Sequence, residues 1–264
     1  MQWPKITIGI NGYVGKNGER SNFHRVMLSS IEAKSQNYDN YIVVMYDDCS
    51  PRDDIEKLCK EFENRIPLHY VRGDTPGVKT ACIRNALMRE CMKFSPEYYF
   101  CYDDDYEIMA DNWLNHIAVC METFPEIGIL CAHWARLEDG ITRQQQHAPF
   151  CFDCNEYARE CGHSAALIRN GLKVWTNKFA TGGCYTVRKE IVESDIGMYP
   201  EDYPYNNGNP GADTYYCNRM MYETDFMLCT TEYDLVWHRG QEFMRGDYMH
   251  KYNDEDFNSS KQIY

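Results

Sequence analysis

Short apolar runs alternate with helical patterns through the first half of this 264-residue chain. Each run has five or six residues and contains β-branched or aromatic side chains. The predicted strands are Lys5–Ile10, Tyr41–Tyr46, Pro67–Val71, Tyr98–Tyr102 and Ile127–Ala132, and the predicted helices between them are Phe23–Ala33, Asp53–Asn64, Val78–Phe94 and Asn112–Phe124. Continuous apolar strands separated by helices are typical of a parallel sheet that is covered on both faces. We therefore predict an α/β fold with a mostly parallel central sheet flanked by helices.

The second half of the chain is less regular. The pattern breaks up from Arg136 to about Lys178, which predicts a loop region or a small subdomain. Regular elements return as a strand at Gly182–Arg188, a helix at Asp213–Tyr222 and two short strands at Phe226–Cys229 and Leu235–Trp237. Because the sequence has no internal repeat and no linker, we expect one domain over residues 1–264, with a regular half at 1–135 and a second half at 136–264.

The charge balance excludes two classes of partner. The chain has 40 acidic against 27 basic residues and a formal net charge of −13. Nucleic acids and anionic membranes both attract clustered Lys and Arg, so neither is an expected partner. No apolar run reaches the roughly 20 residues that span a bilayer, and the N-terminus lacks the apolar core of a signal peptide. The sequence predicts a cytoplasmic protein without a transmembrane segment, and any phosphorylated ligand is expected to need metal ions.

Acidic residues follow two of the predicted strands directly. The second strand runs into Asp47-Asp48-Cys49-Ser50, and the fourth runs into Asp103-Asp104-Asp105. Ligands of open α/β sheets bind beyond the carboxyl ends of the strands. Three adjacent carboxylates repel one another unless a cation is present, and Mg²⁺ or Mn²⁺ commonly bridges one or two carboxylates to substrate phosphates. The pattern favours a divalent cation site over its alternative, a solvated acidic turn.

One group of cysteines has the ligand types of a structural zinc site. Cys151, Cys154, Cys161 and His163 lie close together in the sequence, although their spacing departs from the usual zinc patterns. A chance cluster in a chain with 13 cysteines remains the alternative. The other cysteines are expected to be reduced thiols that serve as small apolar side chains.

Seven segments, taken in order, resemble the GT-A-fold glycosyltransferases of family 2. They read TIGI, YDDCS, YVRGDTPGVKTACIRNA, YDDDYEIMADNWL, GGCYTVRKE, GADTYYCNR and VWH, and together they extend over most of the chain. The resemblance implies a GT-A fold with a nucleotide-binding half at 1–135 and an acceptor-side half at 136–264. It also implies an enzyme that moves a sugar from a nucleotide-diphosphate donor to a hydroxyl of a glycan or another acceptor.

The resemblance assigns the acidic residues to the donor site. The acidic pair after the second strand recognises the base and ribose in the family, which implies that role for Asp47 and Asp48. The first and third residues of the family's Asp-x-Asp motif correspond to Asp103 and Asp105, which are expected to hold the metal, Mn²⁺ or Mg²⁺, and the donor diphosphate. Asp104 between them is assigned to donor binding.

Further roles carry over to basic residues, a histidine and a late aspartate. Arg72 and Arg84 match positions near the donor nucleotide, and His238 ends a late strand where some GT-A enzymes have a metal ligand. Asp213 matches the family's general base. The acid that often precedes that base is replaced here by Ala212. A metal-dependent, inverting transferase is therefore expected, because one base acts without a second carboxylate as nucleophile. A UDP-sugar is the first candidate for the donor.

Two other functions are open at this point. Gly9-Ile-Asn11-Gly12-Tyr-Val-Gly15 directly after a strand resembles a dinucleotide-binding fingerprint, which would indicate an NAD-binding oxidoreductase. In that fingerprint the last glycine opens a helix, whereas the helix here is predicted to begin near Asn22. The second alternative is a non-catalytic module of the same fold that binds a nucleotide-sugar or a glycan, because a fold does not determine a function.

Overall fold

The structure is a computed structural model that describes residues 6–16, 20–74, 80–138, 141–143, 150–151, 156–157, 165–176, 183–202 and 212–239. The helices in these ranges are α1 Ser21–Lys34, α2 Asp54–Phe62, α3 Thr80–Met92, α4 Trp113–Thr123, α5 Lys189–Val192 and α6 Ala212–Glu223. The strands are β1 Ile6–Gly12, β2 Tyr41–Asp47, β3 Leu68–Arg72, β4 Tyr98–Tyr102, β5 Tyr106–Ile108, β6 Ile127–Glu138, β7 Ile141–Arg143, β8 Phe150–Cys151, β9 Glu156–Tyr157, β10 Ala166–Arg169, β11 Leu172–Thr176, β12 Cys184–Arg188 and β13 Met227–His238.

The first half forms the parallel part of the sheet. Strands β3, β2, β1 and β4 are neighbours in that order, and each pair is parallel. Gly12 of β1 pairs with Asp47 of β2, and Ile10 of β1 pairs with Tyr102 of β4. The carboxyl ends of these three strands therefore meet at one edge of the sheet. The predicted α/β fold with a mostly parallel central sheet is confirmed.

The second half extends the sheet with antiparallel strands. Strand β12 inserts between β4 and β6 and is antiparallel to both. Strand β13 runs parallel to β6, with shifts of register between Thr230 and Val236. The two short strands predicted at Phe226–Cys229 and Leu235–Trp237 are therefore one strand. The irregular register lets β13 continue past its polar centre, because a bulge absorbs the residues that do not fit the ladder.

A hairpin at the sheet edge was not predicted. Strands β10 and β11 pair antiparallel, and β11 pairs with β13. Asn170 and Gly171 connect the hairpin, with φ of 52° and 78°. Two consecutive residues with positive φ are typical of a type I′ turn, for which Asn-Gly is the preferred sequence. The segment predicted as a loop or small subdomain thus contributes three strands to the main sheet, β7, β10 and β11.

Helices cover both faces of the sheet. Buried side chains of α1, α2 and α4 pack on one face, where Ile6, Ile8 and Ile10 of β1 point. Buried side chains of α3, α5 and α6 pack on the other face. Ten cysteines of the described residues are free thiols, most of them buried, as expected for small apolar side chains. In the part of the chain that the structure describes, no helix is long and apolar enough to cross a membrane.

Candidate functional site

A cleft of about 280 Å³ lies at the carboxyl ends of β1, β2 and β4. The cleft is lined by the end of β1, the residue before α1, the turn after β2, the start of α3 and the turn after β4. The lining residues are Asn11, Gly12, Tyr13, Arg20, Asp48, Thr80, Ile83, Arg84, Asp103, Asp104 and Asp105. Four carboxylates and two guanidinium groups thus share one small space. The carboxylates exceed the guanidinium groups by two, so one divalent cation would neutralise the lining.

The two acidic residues after β2 have different environments. Asp47 is fully buried; its Oδ1 accepts a hydrogen bond from the Ser50 backbone N–H at 2.8 Å, and its Oδ2 accepts one from the Tyr70 hydroxyl at 2.9 Å. Asp48 is half-buried and lines the cleft. Its backbone N–H donates to the Gly12 carbonyl at 2.9 Å, which ties the β2 turn to the end of β1. Asp47 therefore holds the turn, and Asp48 is the residue of the pair that faces the cleft.

Arg72 supports the same turn from the next strand. Its guanidinium donates to the Ser50 carbonyl, and its Nη1 lies 4.0 Å from Oδ2 of Asp47. The side chain is 41% exposed, so it remains accessible to a ligand beside the turn.

Gly183 and Asp103 are in close contact at the β4 turn. The Asp103 backbone N–H donates to the Gly183 carbonyl at 2.8 Å. Gly183 has φ of 81°, and a Cβ atom on it would lie 2.0 Å from Oδ2 of Asp103. Only glycine adopts this backbone conformation at low cost and also leaves room for the carboxylate.

Asp104 turns back into the protein, although it also contributes to the cleft lining. One carboxylate oxygen pairs with Arg20, and Oδ2 lies 3.1 Å from Nε2 of His24. Burial by itself would raise the pKa of Asp104, but the charges and hydrogen bonds of Arg20 and His24 outweigh it and hold the pKa below its ordinary value. Asp104 is therefore ionised and compensated from the side of α1.

Arg84 is the buried cation of the cleft. Its side chain is 6% exposed, and it donates to the Tyr185 hydroxyl at 3.2 Å and to Oδ1 of Asp103 at 3.3 Å. The Tyr199 hydroxyl lies 3.5 Å from the same nitrogen that binds Tyr185. The Tyr199 ring stacks on Tyr216 of α6, with 4.7 Å between the ring centroids. Arg84 thus connects the β4 turn to α6.

The backbone of β13 brings His238 toward the same turn, and Asp213 lies in α6. His238 ends β13 and pairs with Tyr106, the residue after Asp105. The next backbone N–H, of Arg239, donates to the Asp105 carbonyl at 2.8 Å. Asp213 is the second residue of α6, close to the predicted helix start. The side chains of His238 and Asp213 lie outside the described part of the structure.

The described side chains do not form a complete metal cage by themselves. Among them, no group of three or more His, Cys, Asp or Glu could hold a metal ion. Mg²⁺ and Mn²⁺ sites that also use substrate phosphates need only one or two carboxylates, and the cleft offers Asp103 and Asp105 in surroundings with excess negative charge. The residues therefore fit a cation that is bound together with a diphosphate. Of the predicted zinc ligands, Cys154, Cys161 and His163 lie outside the described residues, as does the Cys151 side chain.

The loop after β1 does not support the dinucleotide-binding alternative. Gly15 lies in the non-helical segment 13–16, and α1 begins only at Ser21. A pyrophosphate bound in the manner of that fingerprint needs the last glycine at the helix N-terminus. The helix start that the fingerprint requires is therefore missing at Gly15.

Six of the eleven lining residues were not predicted as site residues from the sequence, among them Tyr13, Arg20 and Thr80. Tyr13 is 40% exposed although it is a large aromatic residue, Arg20 pairs with the acidic turn, and Thr80 begins α3 at the cleft. The only sequence signal was their position near the ends of elements that lead into the sheet edge, a position that many non-functional residues share.

An acidic cleft therefore lies at the carboxyl edge of a mostly parallel sheet, where open α/β folds bind their ligands. Residues 19–195 match the family described as Glycosyl transferase family 2. Since the match covers more than half of the sequence, the chain belongs to this family. A comparison with curated proteins finds no match.

Solved structures with a similar fold include two glycosyltransferases. Residues 1–349 of TarS from S. aureus superpose with a TM-score of 0.61 at 12% identity, covering 96% of this chain and 67% of that one. TarS in complex with UDP-GlcNAc superposes with a TM-score of 0.59 at 14% identity, covering 88% of this chain and 58% of that one. GalNAc-T7 with UDP, GalNAc and Mn²⁺ superposes with a TM-score of 0.62 at 13% identity, covering 90% of this chain and 44% of that one. The chain therefore spans between 44% and 67% of these structures, and at such identities the likeness shows the fold alone.

Proposed function

We propose that this chain transfers a sugar from a nucleotide-diphosphate donor to an acceptor hydroxyl of a glycan or a similar molecule. The observation that carries the proposal is the convergence of Asp48, Asp103, Asp104 and Asp105 with two arginines in one cleft at the strand ends. A UDP-sugar is the first candidate donor, because related folds were crystallised with UDP-GlcNAc and with UDP and GalNAc. All the lining residues lie between 11 and 105, which supports donor binding by the half 1–135 and leaves 136–264 for the acceptor.

The nucleoside is proposed to bind along the ends of β1 and β2. Tyr13 offers an exposed aromatic ring on which a base can stack. Asp48 offers a carboxylate that can accept hydrogen bonds from the base or the ribose. Asp47, which is buried, is proposed to support nucleoside binding by maintaining the shape of the turn after β2. Arg72 is proposed to lie at the outer edge of that turn.

The diphosphate is proposed to bind over the β4 turn together with Mn²⁺ or Mg²⁺. Asp103, Asp105 and His238 are the residues that would hold the ion. When bound, a divalent cation neutralises the negative charge that develops on the leaving nucleoside diphosphate. Arg84 orients Asp103 from behind, because its guanidinium lies 3.3 Å from that carboxylate.

Asp213 is proposed to accept the proton of the attacking hydroxyl. It lies at the start of α6, one turn before Tyr216, which stacks on Tyr199 beside Arg84. The acidic residue Glu201 is a weaker candidate, because Asn85 donates to it at 2.9 Å and Arg89 pairs with it. The hydrogen bond from Asn85, followed by those from Arg89, holds its pKa below the ordinary value. One carboxylate that acts as base, without a second one as nucleophile, is the arrangement of an inverting transferase, and we propose that stereochemistry here.

A binding and turnover experiment tests this function. The protein is screened by thermal shift against UDP-, GDP- and dTDP-sugars with Mn²⁺ and with EDTA, and release of the nucleoside diphosphate is then measured. We expect stabilisation by one donor class that depends on the metal, followed by slow release without acceptor. Donor binding without any release, over a panel of acceptors, would favour the non-catalytic module. The absence of binding to every nucleotide-sugar would refute the proposal.

A further inference from the structure

Arg20 occupies an unusual backbone position at the edge of the cleft. It directly precedes α1 and has φ of 68°, in the left-handed region that non-glycine residues rarely adopt. Its carbonyl accepts the Phe23 N–H at 3.0 Å, which fixes the residue to the first turn of the helix. Left-handed non-glycine residues are concentrated at ligand sites, where the surrounding structure compensates for their cost. This conformation accompanies a side chain that reaches the acidic turn after β4.

The guanidinium of Arg20 is held in place on several sides. It pairs with one oxygen of Asp104, while His24, one helical turn further along α1, approaches the other oxygen at 3.1 Å. The carbon at the centre of the guanidinium lies 5.7 Å from the centroid of the Phe23 ring. Nη2 of Arg20 is also 3.9 Å from Oδ2 of Asp105. Arg20 is therefore a preorganised cation beside the carboxylates that are proposed to hold the metal.

The two arginines of the cleft differ in their access to a ligand. The Arg84 side chain is 6% exposed and is enclosed by the hydroxyl groups of Tyr185 and Tyr199. The Arg20 side chain is 19% exposed and lines the cleft. Of these two cations, Arg20 is the one that an anionic ligand in the cleft can contact more readily.

We propose that Arg20 binds the diphosphate of the donor and makes the site select nucleoside diphosphates over nucleosides. The inference rests on the proposed function, which supplies the diphosphate. A guanidinium has five N–H donors in a planar fork, so one edge can stay on Asp104 while another binds a phosphate oxygen. Asp104 thus serves as the support that keeps this cation aimed at the cleft, although it also contributes a carboxylate to the lining.

The test compares two ligands that differ only in the phosphates. Affinities for UDP and for uridine are measured with saturating Mn²⁺, by calorimetry and by ligand-observed NMR, for the wild type and for Arg20→Gln. Since a hydrogen bond to a charged group is involved, we expect UDP to bind roughly 10- to 100-fold more weakly to the variant. The affinity for uridine is expected to stay within about twofold, because that ligand has no phosphate for Arg20 to bind.

Arg25→Gln is the matched control. Arg25 lies in the first two turns of α1, is 52% exposed and pairs with Glu61 on the surface, so the substitution makes the same change in net charge away from the cleft. It should leave the affinity for UDP within about twofold, since surface ion pairs contribute little. If Arg20→Gln does not fold, Arg20→Lys, which keeps a charge for Asp104 but loses the planar fork, is used for the same comparison.

The outcomes separate this inference from the function on which it rests. A selective loss of UDP binding supports the role of Arg20. Unchanged binding of UDP overturns it, and so does an equal loss for UDP and uridine, because Arg20 would then only shape the pocket. If the wild type binds neither UDP nor another nucleoside diphosphate, the proposed function itself is refuted. Should the donor screen favour guanine, GDP and guanosine replace the uracil pair.

Discussion

Replacing Gly183 with alanine tests the geometry of the β4 turn. The new Cβ would lie 2.0 Å from Oδ2 of Asp103 and 2.5 Å from its Cγ, well inside van der Waals contact. The backbone also has φ of 81°, which costs a residue with a Cβ about 1–2 kcal/mol. Overpacking at this contact adds about 1–3 kcal/mol. Part of that cost arises because Asp103 must move away from buried Arg84, whose charge it compensates. We expect Gly183→Ala to lower the free energy of unfolding by about 2–5 kcal/mol.

Gly171→Ala is a matched control for the backbone cost. Gly171 has nearly the same φ, 78°, but a Cβ there would have no neighbour within 4 Å. Its substitution should therefore cost only about 1–2 kcal/mol. In an Asp103→Ala background the contacts at 2.0 Å and 2.5 Å disappear and only the Cβ contact at 3.1 Å remains. The cost of Gly183→Ala in that background should fall toward that of Gly171→Ala.

The measurement is urea unfolding of the four single and double variants beside the wild type, with melting temperatures as a check. A loss of 1 kcal/mol corresponds to about 2–4 °C for a chain of this size. The coupling free energy between positions 103 and 183 is the cost of Gly183→Ala in the wild type minus its cost in the Asp103→Ala background. If Gly183→Ala is no more destabilising than Gly171→Ala, and its cost is the same without the Asp103 carboxylate, the close contact does not exist as described.

The other predictions concern the proposed ligand contacts. Asp105→Ala should abolish the Mn²⁺-dependent thermal shift with UDP while the protein stays folded, and full activity of the wild type in excess EDTA would contradict the need for a metal. Asp48→Ala should weaken UDP binding and change the free energy of unfolding by less than about 0.5 kcal/mol. Asp47→Ala should weaken UDP binding and also lower the free energy of unfolding by about 1–3 kcal/mol, because it leaves buried donors without an acceptor. Equal melting temperatures for the two variants would refute this distinction. Asp213→Asn should lower turnover by roughly 100-fold or more with donor affinity unchanged, and near-normal turnover would leave Asp213 only a structural residue in the first turn of α6.

The central strands β1 and β4 were predictable because they are buried on both faces. Ile6, Ile8 and Ile10 pack on one face of β1, and α3 packs on the other face, so the strand appears as a continuous apolar run. The hairpin β10–β11 lacks that signal, since it lies at the sheet edge, where Ile168 is 71% exposed. The Asn170-Gly171 pair was the available signal for it, but periodicity alone does not weigh turn residues.

Strand β13 shows a different limit of sequence reasoning. Its polar central residues, among them Glu232, interrupt the apolar pattern, so the strand was predicted as two pieces. The register shifts against β6 that keep it continuous depend on long-range pairing. Local sequence contains no information about which residues of a partner strand will be skipped.

The candidate site was predictable by position and unpredictable by orientation. Aspartates after β2 and β4 were recognised because strand ends bind ligands in this class of sheet. Adjacent identical residues nevertheless differ completely in the structure, because successive side chains around a turn point in different directions. Asp47 is buried against Tyr70 while Asp48 faces the cleft, and Asp104 is bound by α1. Arg20 has no sequence signature beyond its position before a helix, since its proposed role follows from where α1 begins.

Basic side chains behind the β4 turn compensate its carboxylates and allow three of them to lie on successive residues. Arg20 and His24 contact Asp104, and Arg84 contacts Asp103, so two of the three like charges are paired before any ligand binds. In the proposed function, a cation and a diphosphate would enter a site whose acidic groups are already oriented, and binding would not have to supply that ordering. Fixed charges that need no reorganisation during the reaction are the main source of electrostatic catalysis. The same pairing explains why the turn can hold its shape with carboxylates on three successive residues.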